Sequence, residues 1–279
     1  MSIFRPSELH AFLEELGISA KKSLSQNFLI DGNILDKICT LAEVAPGDRV
    51  LEIGPGPGAL TQALLKKGAH VTAIEMDHVF ATHLKRLDGN LTVIEGDFLA
   101  LSLETLLQGN QRFKIVANLP YQITTPILAK LVPLHSLISS ITVMVQREVA
   151  KRFVAKPNTK DYSSFTLFLE YYGKTTYGFT VEPTCFYPRP GVRSAVCRID
   201  LSASYQLPEE AFFQLTRTAF QQRRKMLRAS LKSLFQPEHI ESALQALNLT
   251  PTARPEQLSL ENFIALFHTL YSSSSTSAL

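Results

Sequence analysis

The chain has 279 residues, of which 45% are hydrophobic, and this is enough for one large domain with a well-filled core plus a smaller one. Its 28 basic and 25 acidic residues give a formal net charge of +3, so overall charge does not by itself indicate a nucleic-acid ligand. Three widely spaced cysteines without a CxxC pair, and histidines without ligand spacing, exclude a disulfide framework and predict no metal site.

The first predicted elements are two helices, over residues 7–16 before Gly17 and over residues 31–42 with Asp31 as the N-cap. From residue 48 to 146, short apolar strands alternate with helical segments, a pattern that predicts a parallel sheet with helices on both faces. The predicted strands are residues 50–53, 71–75, 91–94, 113–117 and 141–145, with a last one over 192–201. The pattern then becomes all-helical, which predicts an α/β domain over residues 1–203 and a helical domain over residues 204–279.

A turn rich in glycine, EIGPGPG at residues 52–58, lies between the first predicted strand and a helical stretch. A strand, a glycine turn and a helix in this order form a nucleotide-type cofactor site, because glycine lets the backbone approach the ligand closely. Gly54 would contact the cofactor, and Glu75, at the end of the second strand, could accept hydrogen bonds from ribose hydroxyls. The same glycines also satisfy the looser fingerprint of a dinucleotide site, so this motif alone leaves the cofactor open.

Two acidic residues favour S-adenosylmethionine over a dinucleotide. Glu52 precedes the first glycine, where an acid would repel a pyrophosphate but suits a ligand that carries sulfonium and ammonium groups. Asp97 follows the third strand, where its carboxylate can accept a hydrogen bond from the adenine amino group. Considered alone, Asp97 would be interpreted as a helix cap. Considered together with Gly54 and Glu75, which follow or end the two preceding strands, it is more readily interpreted as an adenine contact.

The segment NLPY at residues 118–121 places an amide oxygen, a backbone carbonyl, a rigid proline and an aromatic face in succession. The oxygens of Asn118 and Leu119 can accept both hydrogens of an aromatic amine, which favours a pyramidal nitrogen whose lone pair points at a methyl donor. Pro120 fixes the direction of the chain, and Tyr121 offers a face on which a base can stack. Together with the glycine turn, this segment predicts an amino-group methyltransferase that works mainly by alignment.

Motifs along nearly the whole chain resemble those of the ribosomal RNA adenine dimethyltransferases, and among them the small-subunit group. They are KSLSQNFL at residues 22–29, EIGPGPG at 52–58, NLPY at 118–121, QREVAKR at 146–152, FYPRPGVRS at 186–194 and FQQRRK at 220–225. The resemblance implies a Rossmann-like S-adenosylmethionine-dependent methyltransferase domain followed by a small helical domain. It also implies N6,N6-dimethylation of two adjacent adenosines near the 3′ end of small-subunit (16S) rRNA, with a role in biogenesis of that subunit.

The resemblance also assigns roles to single residues. Contacts with the cofactor are implied for Asn27, Leu29, Gly54, Glu75, Asp97 and Asn118. Phe186 would stack on the flipped target base opposite Tyr121. Ser25 and Gln122 replace the glycine and asparagine that are usual in the family, and neither change removes a named chemical group.

A basic segment lies in the C-terminal region, where residues 217–232 carry six basic residues and no acidic one. Treated as one helix, this segment places an apolar stripe beside a basic face, which favours contact with RNA phosphates over a merely solvated face. A second basic cluster lies over residues 147–152. For this cluster, RNA binding and an ion pair between Glu148 and Arg152 are about equally favoured. The predicted RNA-binding residues are Arg147, Lys151, Arg217, Arg223, Arg224, Lys225, Arg228 and Lys232.

Three alternatives stay open: a large-subunit rRNA methyltransferase of the resistance type, a non-catalytic ribosome-assembly factor, and an NAD-linked oxidoreductase. The motifs at residues 186–194 and 220–225 favour the small-subunit group over the first. Gly54, Glu75 and Asn118 are all present, which disfavours an assembly factor that keeps the cofactor fold only as a relic. No acid–base pair suited to hydride transfer is evident, which disfavours the oxidoreductase. We expect S-adenosylmethionine as cofactor and small-subunit rRNA, within an assembling 30S particle, as partner. No apolar run is long enough to span a bilayer. We also expect a cytoplasmic location, a monomer and no metal.

Overall fold

The chain divides into two units in the computed structural model, which describes residues 6–15, 17, 27–87, 89–202 and 205–274. The first unit contains residues 1–150 and 173–203, and the second contains residues 151–172 and 204–279. Within the motif at residues 22–29, positions 22–26 lie outside the described residues.

The first unit is built on a seven-stranded sheet and a separate two-stranded ladder. In chain order the strands are β1 (Phe28–Leu29), β2 (Arg49–Ile53), β3 (His70–Glu75), β4 (Leu91–Glu95), β5 (Phe113–Asn118), β6 (Ile138–Gln146), β7 (Gly173–Val181), β8 (Phe186–Tyr187) and β9 (Ser194–Leu201). The ladder joins β1 to β8 in antiparallel fashion. The spatial order in the large sheet is β4-β3-β2-β5-β6-β9-β7.

The predicted strands are confirmed, but the sheet is mixed. The pairs formed among strands β2 to β6 are all parallel, as the alternating pattern predicted. β9 matches the last predicted strand and pairs antiparallel with both β6 and β7. The sequence pattern did not predict β7, because this edge strand alternates between half-buried and exposed residues and lacks the continuous apolar run that marked the others.

Helices and short 3₁₀ turns connect these strands. The helices are α1 (Pro6–Glu15), α2 (Gly32–Leu41), α3 (Ala59–Lys66), α4 (His78–Leu84), α5 (Leu103–Leu106), α6 (Thr124–Leu131) and α7 (Arg147–Phe153), the last of which continues into the second unit. α2 starts as predicted, because the Asp31 carboxylate accepts hydrogen bonds from the backbone N–H groups of Asn33 (2.9 Å) and Ile34 (3.3 Å). 3₁₀ turns at Phe98–Ala100 and Tyr121–Ile123 follow the ends of β4 and β5.

Two hydrophobic clusters pack helices against strands in the first unit. The larger one packs β2, β3 and β5 against α2 and α3, through residues such as Val50, Val71 and Leu64. The smaller one packs Leu9 and Phe12 of α1 with Phe28 of β1 and Phe80 of α4. As a result α1 and β1 lie beside the carboxyl ends of the central strands.

The second unit is helical in its described residues, with α8 (Ser164–Tyr172), α9 (Glu209–Gln221), α10 (Leu227–Ser230), α11 (Pro237–Ala246) and α12 (Leu260–Ser274). Aromatic rings join α8 to α9, with 5.2 Å between the ring centres of Phe168 and Phe213 and 5.4 Å between those of Tyr171 and Phe212. This packing places residues 151–172 in the second unit, whereas the sequence pattern assigned them to the domain over residues 1–203. The division of the chain into domains over residues 1–203 and 204–279 stays a prediction.

The basic segment over residues 217–232 is not one helix, so the helical wheel predicted for it is wrong beyond residue 221. α9 ends at Gln221, Gln222 leaves the helical region (φ −129°, ψ 57°), and Met226 is extended (φ −61°, ψ 149°). The backbone N–H of Leu227 instead donates a hydrogen bond to the carbonyl of Ala253 at 2.8 Å. Residues 222–226 therefore form a turn. No helix in the described part of either unit is long and apolar enough to cross a membrane.

Candidate active site

A cavity of about 340 Å³ opens at the carboxyl ends of β2, β3, β4 and β5. All six residues predicted to contact the cofactor line it, namely Asn27, Leu29, Gly54, Glu75, Asp97 and Asn118. Leu119, Pro120 and Tyr121 of the predicted catalytic segment line it as well. The sheet therefore brings together residues that are far apart in the sequence, at the edge where ligands bind in folds of this class.

The glycine turn after β2 needs glycine for two separate reasons. Gly54 has φ +66°, and a Cβ there would meet nothing within 4 Å, so the backbone faces open space in which a ligand can approach closely. Gly58 has φ +93°, and a Cβ there would lie 2.7 Å from Cδ2 of Leu84, so packing against α4 excludes a side chain. Gly54 is therefore needed for the cavity, and Gly58 is needed for packing of the fold.

Glu75 is buried and already holds the glycine turn. Its Oε2 accepts a hydrogen bond from the N–H of Gly56 and its Oε1 accepts one from the N–H of Asp77, both at 2.8 Å. Burial raises the pKa of the Glu75 carboxyl, and these two backbone donors lower it. Because each carboxylate oxygen can accept a second hydrogen bond, Glu75 retains acceptor capacity for the hydroxyls of a ribose.

Glu52 lines the cavity and is only 1% exposed. The Thr61 hydroxyl donates a hydrogen bond to its Oε2 at 2.6 Å. Burial raises the pKa of the Glu52 carboxyl to about 8, although the Thr61 hydrogen bond lowers it, and the negative charge of Glu75 adds to the rise. In the absence of a cation, the Glu52 carboxyl therefore holds its proton near neutral pH.

We expect Glu52→Gln to remove a pH dependence of stability. Between the ordinary pKa of 4.5 and the raised pKa of about 8, the folded protein holds a proton that the unfolded chain releases. The free energy of unfolding of the wild type should therefore fall through this window and level off above it, while that of the glutamine variant should not. Urea unfolding of both proteins without cofactor, at about pH 5 and pH 9, measures the difference. If the free energies of unfolding of the two proteins differed by the same amount at both pH values, the raised pKa assigned to Glu52 would be contradicted.

Asp97 caps the 3₁₀ turn at Phe98–Ala100 with one of its carboxylate oxygens. Oδ1 accepts a hydrogen bond from the N–H of Leu99 at 2.9 Å. The helix-cap interpretation considered for Asp97 is thus correct for that oxygen. Its Oδ2 has no hydrogen-bond partner among the described residues, and Asp97 lines the cavity. Both roles predicted from the sequence are therefore compatible with one side chain.

In the segment over residues 118–121, two oxygens accept no hydrogen bond from the described residues. Nδ2 of Asn118 donates a hydrogen bond to the carbonyl of Asn27 at 3.1 Å, which directs its Oδ1 away from that carbonyl. The N–H of Leu119 donates to the carbonyl of Met144 at 3.1 Å, which anchors the segment to β6. Within the part of the chain that the structure describes, neither Oδ1 of Asn118 nor the carbonyl of Leu119 accepts a hydrogen bond. Two acceptors therefore remain at the positions that the sequence predicted.

Tyr121 is held by a residue that the sequence did not single out. Its hydroxyl lies 2.7 Å from Oγ of Ser194, which is fully buried at the start of β9. Burial raises the pKa of the Tyr121 hydroxyl, and the hydrogen bond with Ser194 lowers it. Ser194 is the last residue of the motif at residues 186–194. The sequence therefore marked this serine but did not show that it contacts Tyr121.

Phe186 does not share the cavity with Tyr121, which corrects its predicted position. Its ring is 1% exposed and packs in the core with Leu29, Met144 and Val196. The reason is the antiparallel ladder, in which Phe186 pairs with Leu29 and faces the interior. In this conformation Phe186 supports β1 and offers no face to a target base.

The structure separates the predicted RNA-binding residues into two groups. Several have partners within the chain: Arg223 binds the Glu256 carboxylate (2.7 Å) and the carbonyls of Thr159 and Lys160, Arg228 binds Glu241 (2.6 Å), and Arg147 binds Glu148 (2.9 Å). Arg217, Arg224, Lys225 and Lys232 are exposed, and so is Lys151, which also has an interaction within the chain. Arg223 thus fixes the turn over residues 222–226, while its neighbours Arg224 and Lys225 point into solvent.

A protein-family model described as ribosomal RNA adenine dimethylase matches residues 17–271. The chain is 55% identical to the ribosomal RNA small subunit methyltransferase A of Protochlamydia amoebophila (strain UWE25), over 98% of this chain and 99% of the relative. The protein of the same name from Chlamydia caviae is 46% identical, over 98% and 99% of the two chains. A solved dimethyladenosine transferase from Plasmodium falciparum has a TM-score of 0.78 at 26% identity, covering 88% of this chain and 98% of that one. The 23S rRNA methyltransferase ErmE has a TM-score of 0.68 at 28% identity, with 88% and 100% covered.

Proposed function

Since this chain belongs to the ribosomal RNA adenine dimethylase family, we propose that it dimethylates N6 of two adjacent adenosines near the 3′ end of small-subunit rRNA. The predicted family, the Rossmann-like α/β fold and the use of S-adenosylmethionine are confirmed by the family match and by the likeness to a solved dimethyladenosine transferase. Relatives at 55% and 46% identity carry small-subunit names, which supports this subunit as substrate over the large one.

The observation that carries the proposal is the pair of free acceptors in the catalytic segment. Oδ1 of Asn118 and the carbonyl of Leu119 would accept the two hydrogens of the adenine N6 amine. An aromatic amine is a poor nucleophile because its lone pair is delocalised into the ring, and these two hydrogen bonds favour a pyramidal nitrogen. Pro120 (φ −58°) directs the Leu119 carbonyl, and the Tyr121 ring offers a stacking face for the flipped base.

The cavity offers acceptors, open space and a buried acid that suit the parts of S-adenosylmethionine. When bound, the cofactor supplies an electrophilic methyl group on a sulfonium. We place the ribose hydroxyls on Glu75, the adenine amine on Oδ2 of Asp97, and the methionine part beside Gly54, where open space faces the backbone. Glu52 would become ionised beside the cationic ligand, because an opposite charge lowers the pKa of a buried carboxyl.

The chain needs neither a strong base nor a metal for this reaction. The leaving group is a neutral thioether, and the methylated amine can release its proton to solvent after transfer. Asn118 and Leu119 hold the amine, Tyr121 holds the ring, and the cavity keeps the reacting atoms in line, so most of the rate enhancement comes from alignment. One of the two acceptors can serve the second methylation as well, since one N6 hydrogen remains after the first.

A direct comparison of RNA substrates tests this proposal against its rivals. Purified protein would be incubated with methyl-labelled S-adenosylmethionine and either unmethylated small ribosomal subunits or large ribosomal subunits. We expect label in the small-subunit RNA only. Label in the large-subunit RNA would favour the resistance-type alternative, and RNA binding without label would favour a non-catalytic assembly factor.

The turn over residues 222–226 gives a second test, which concerns RNA binding. Reversing Arg224 and Lys225 to Glu removes two exposed cations from a turn that Arg223 holds in place. RNA affinity should fall, and the slope of log affinity against log salt should flatten by about 1–2, because fewer counterions are released. Filter binding at several salt concentrations measures the slope, with reversal of the exposed Lys85 in the first unit as control. An unchanged slope would show that Arg224 and Lys225 are only solvated.

We further propose that the chain acts in the cytoplasm, as a monomer, on rRNA within an assembling 30S particle. The family resemblance supports the substrate. The three free cysteines, of which Cys39 and Cys197 are buried, are compatible with a reducing compartment.

A further inference from the structure

Lys130, near the end of α6, directs its ammonium group at a single turn of the chain. Its Nζ donates hydrogen bonds to three backbone carbonyls, those of Phe98 (3.2 Å), Leu99 (2.6 Å) and Leu101 (2.6 Å). It also lies 5.6 Å from the centre of the Phe98 ring. An ammonium has three N–H donors, so this half-buried lysine uses its whole donor capacity on that turn.

The turn that Lys130 binds is one wall of the cavity. Gly96, Asp97, Phe98 and Leu99 all line the cavity, on the side where we place the adenine. The turn has little structure of its own, because it follows an exposed strand end and contains only two internal backbone hydrogen bonds, of 3.0 and 3.4 Å, besides the Asp97 cap. The position of this wall therefore depends on a side chain that does not itself line the cavity.

We propose that Lys130 is a positioning residue for cofactor binding, which fixes the turn over residues 97–101 so that Asp97 and Phe98 meet the adenine. This inference rests on the proposed function, since it takes the adenine site as given. α6 also begins directly after the catalytic segment, where the Thr124 hydroxyl donates to the carbonyl of Pro120 at 3.2 Å. One helix therefore links the wall that holds the cofactor to the segment that holds the target base.

The test compares two lysines that hold backbone in similar ways. Lys130→Met keeps the aliphatic stem and removes the charge and all donors. The control is Lys114→Met, because Nζ of Lys114 also binds a carbonyl, that of Glu43 (2.6 Å), and the Asp48 carboxylate (2.8 Å), and Lys114 does not line the cavity. Calorimetry with S-adenosylhomocysteine and with 5′-methylthioadenosine, together with steady-state kinetics on unmethylated small subunits, reports on both variants.

For Lys130→Met we expect the Kd of both ligands, and the KM for S-adenosylmethionine, to rise about tenfold, while kcat at saturating cofactor stays within about twofold of wild type. Lys114→Met should leave the Kd of both ligands unchanged. Lys130→Gln keeps one donating group and should give an intermediate rise in Kd. This variant replaces Lys130→Met in the test if the methionine variant does not fold. The inference is overturned if Lys130→Met and Lys130→Gln bind both ligands as tightly as wild type, or if Lys114→Met loses affinity equally. Failure of the wild type to bind either ligand would instead refute the proposed function.

Discussion

Asn118→Ala should reduce the rate of methyl transfer by about 100- to 1,000-fold at saturating cofactor and RNA, which is the usual loss when one preorganised hydrogen-bonding group leaves an active site. The variant lacks the oxygen that accepts one hydrogen of the target amine. It also lacks the bond from Nδ2 to the Asn27 carbonyl, so cofactor affinity should weaken as well. Single-turnover kinetics with the cofactor in large excess separates the two effects.

Asn118→Asp is the matched control for this prediction. It keeps an oxygen acceptor toward the amine but places a carboxylate against the Asn27 carbonyl, where the wild type has a donor. We therefore expect its rate to lie between those of the wild type and the alanine variant. If the alanine variant transferred methyl groups within about fivefold of wild type at saturating cofactor, Asn118 would not be the acceptor that we propose.

Tyr121→Ala should slow methyl transfer by about 5- to 150-fold, since base stacking on an aromatic ring contributes about 1–3 kcal/mol. Cofactor affinity should change little, because the ring is assigned to the base. The smaller change, Tyr121→Phe, keeps the ring but removes the hydrogen bond with Ser194. That bond should contribute about 0.5–1.5 kcal/mol, so the phenylalanine variant should lose about 2- to 12-fold in rate.

A double-mutant cycle with Ser194→Ala separates stacking from positioning. If the Tyr121 hydroxyl acts only through Ser194, then Tyr121→Phe, Ser194→Ala and the double variant should lose the same factor in rate. Equal and large losses for the phenylalanine and alanine variants at residue 121 would show that the hydroxyl, not the ring, is the working group. The stacking role of Tyr121 would then be wrong.

Much of the fold could be predicted from the sequence because its signals are local. β2 and β3 are buried on both faces over most of their length, so they appear as short apolar runs between helical segments. The start of α2 was predicted correctly from one residue, Asp31, whose cap is a local interaction. The cavity followed from topology, since the carboxyl ends of neighbouring parallel strands meet at one edge of the sheet.

The parts that the sequence did not predict depend on long-range partners. The basic segment leaves the helix after Gln221, and in the turn that follows Arg223 binds Glu256, which is 33 residues away. Phe186 is buried because β8 pairs with β1, which lies far back in the sequence. Lys130 lies in no recognised motif, and Ser194 lies in one that does not reveal its role, since both residues act through contacts that only the fold creates. The roles of the site residues toward cofactor and RNA stay predictions.

Mass spectrometry of the modified nucleosides tests the central claim most directly. Unmethylated small ribosomal subunits would be incubated with S-adenosylmethionine and either wild-type protein or Asn118→Ala. One portion of their RNA would be digested to nucleosides, and another to oligonucleotides whose masses locate the modified positions. We predict N6,N6-dimethyladenosine, at two adjacent positions near the 3′ end, with the wild type and almost none with the variant. Methylation on another nucleoside, or N6,N6-dimethyladenosine formed equally well by Asn118→Ala, would contradict the proposed reaction and the role of the segment over residues 118–121.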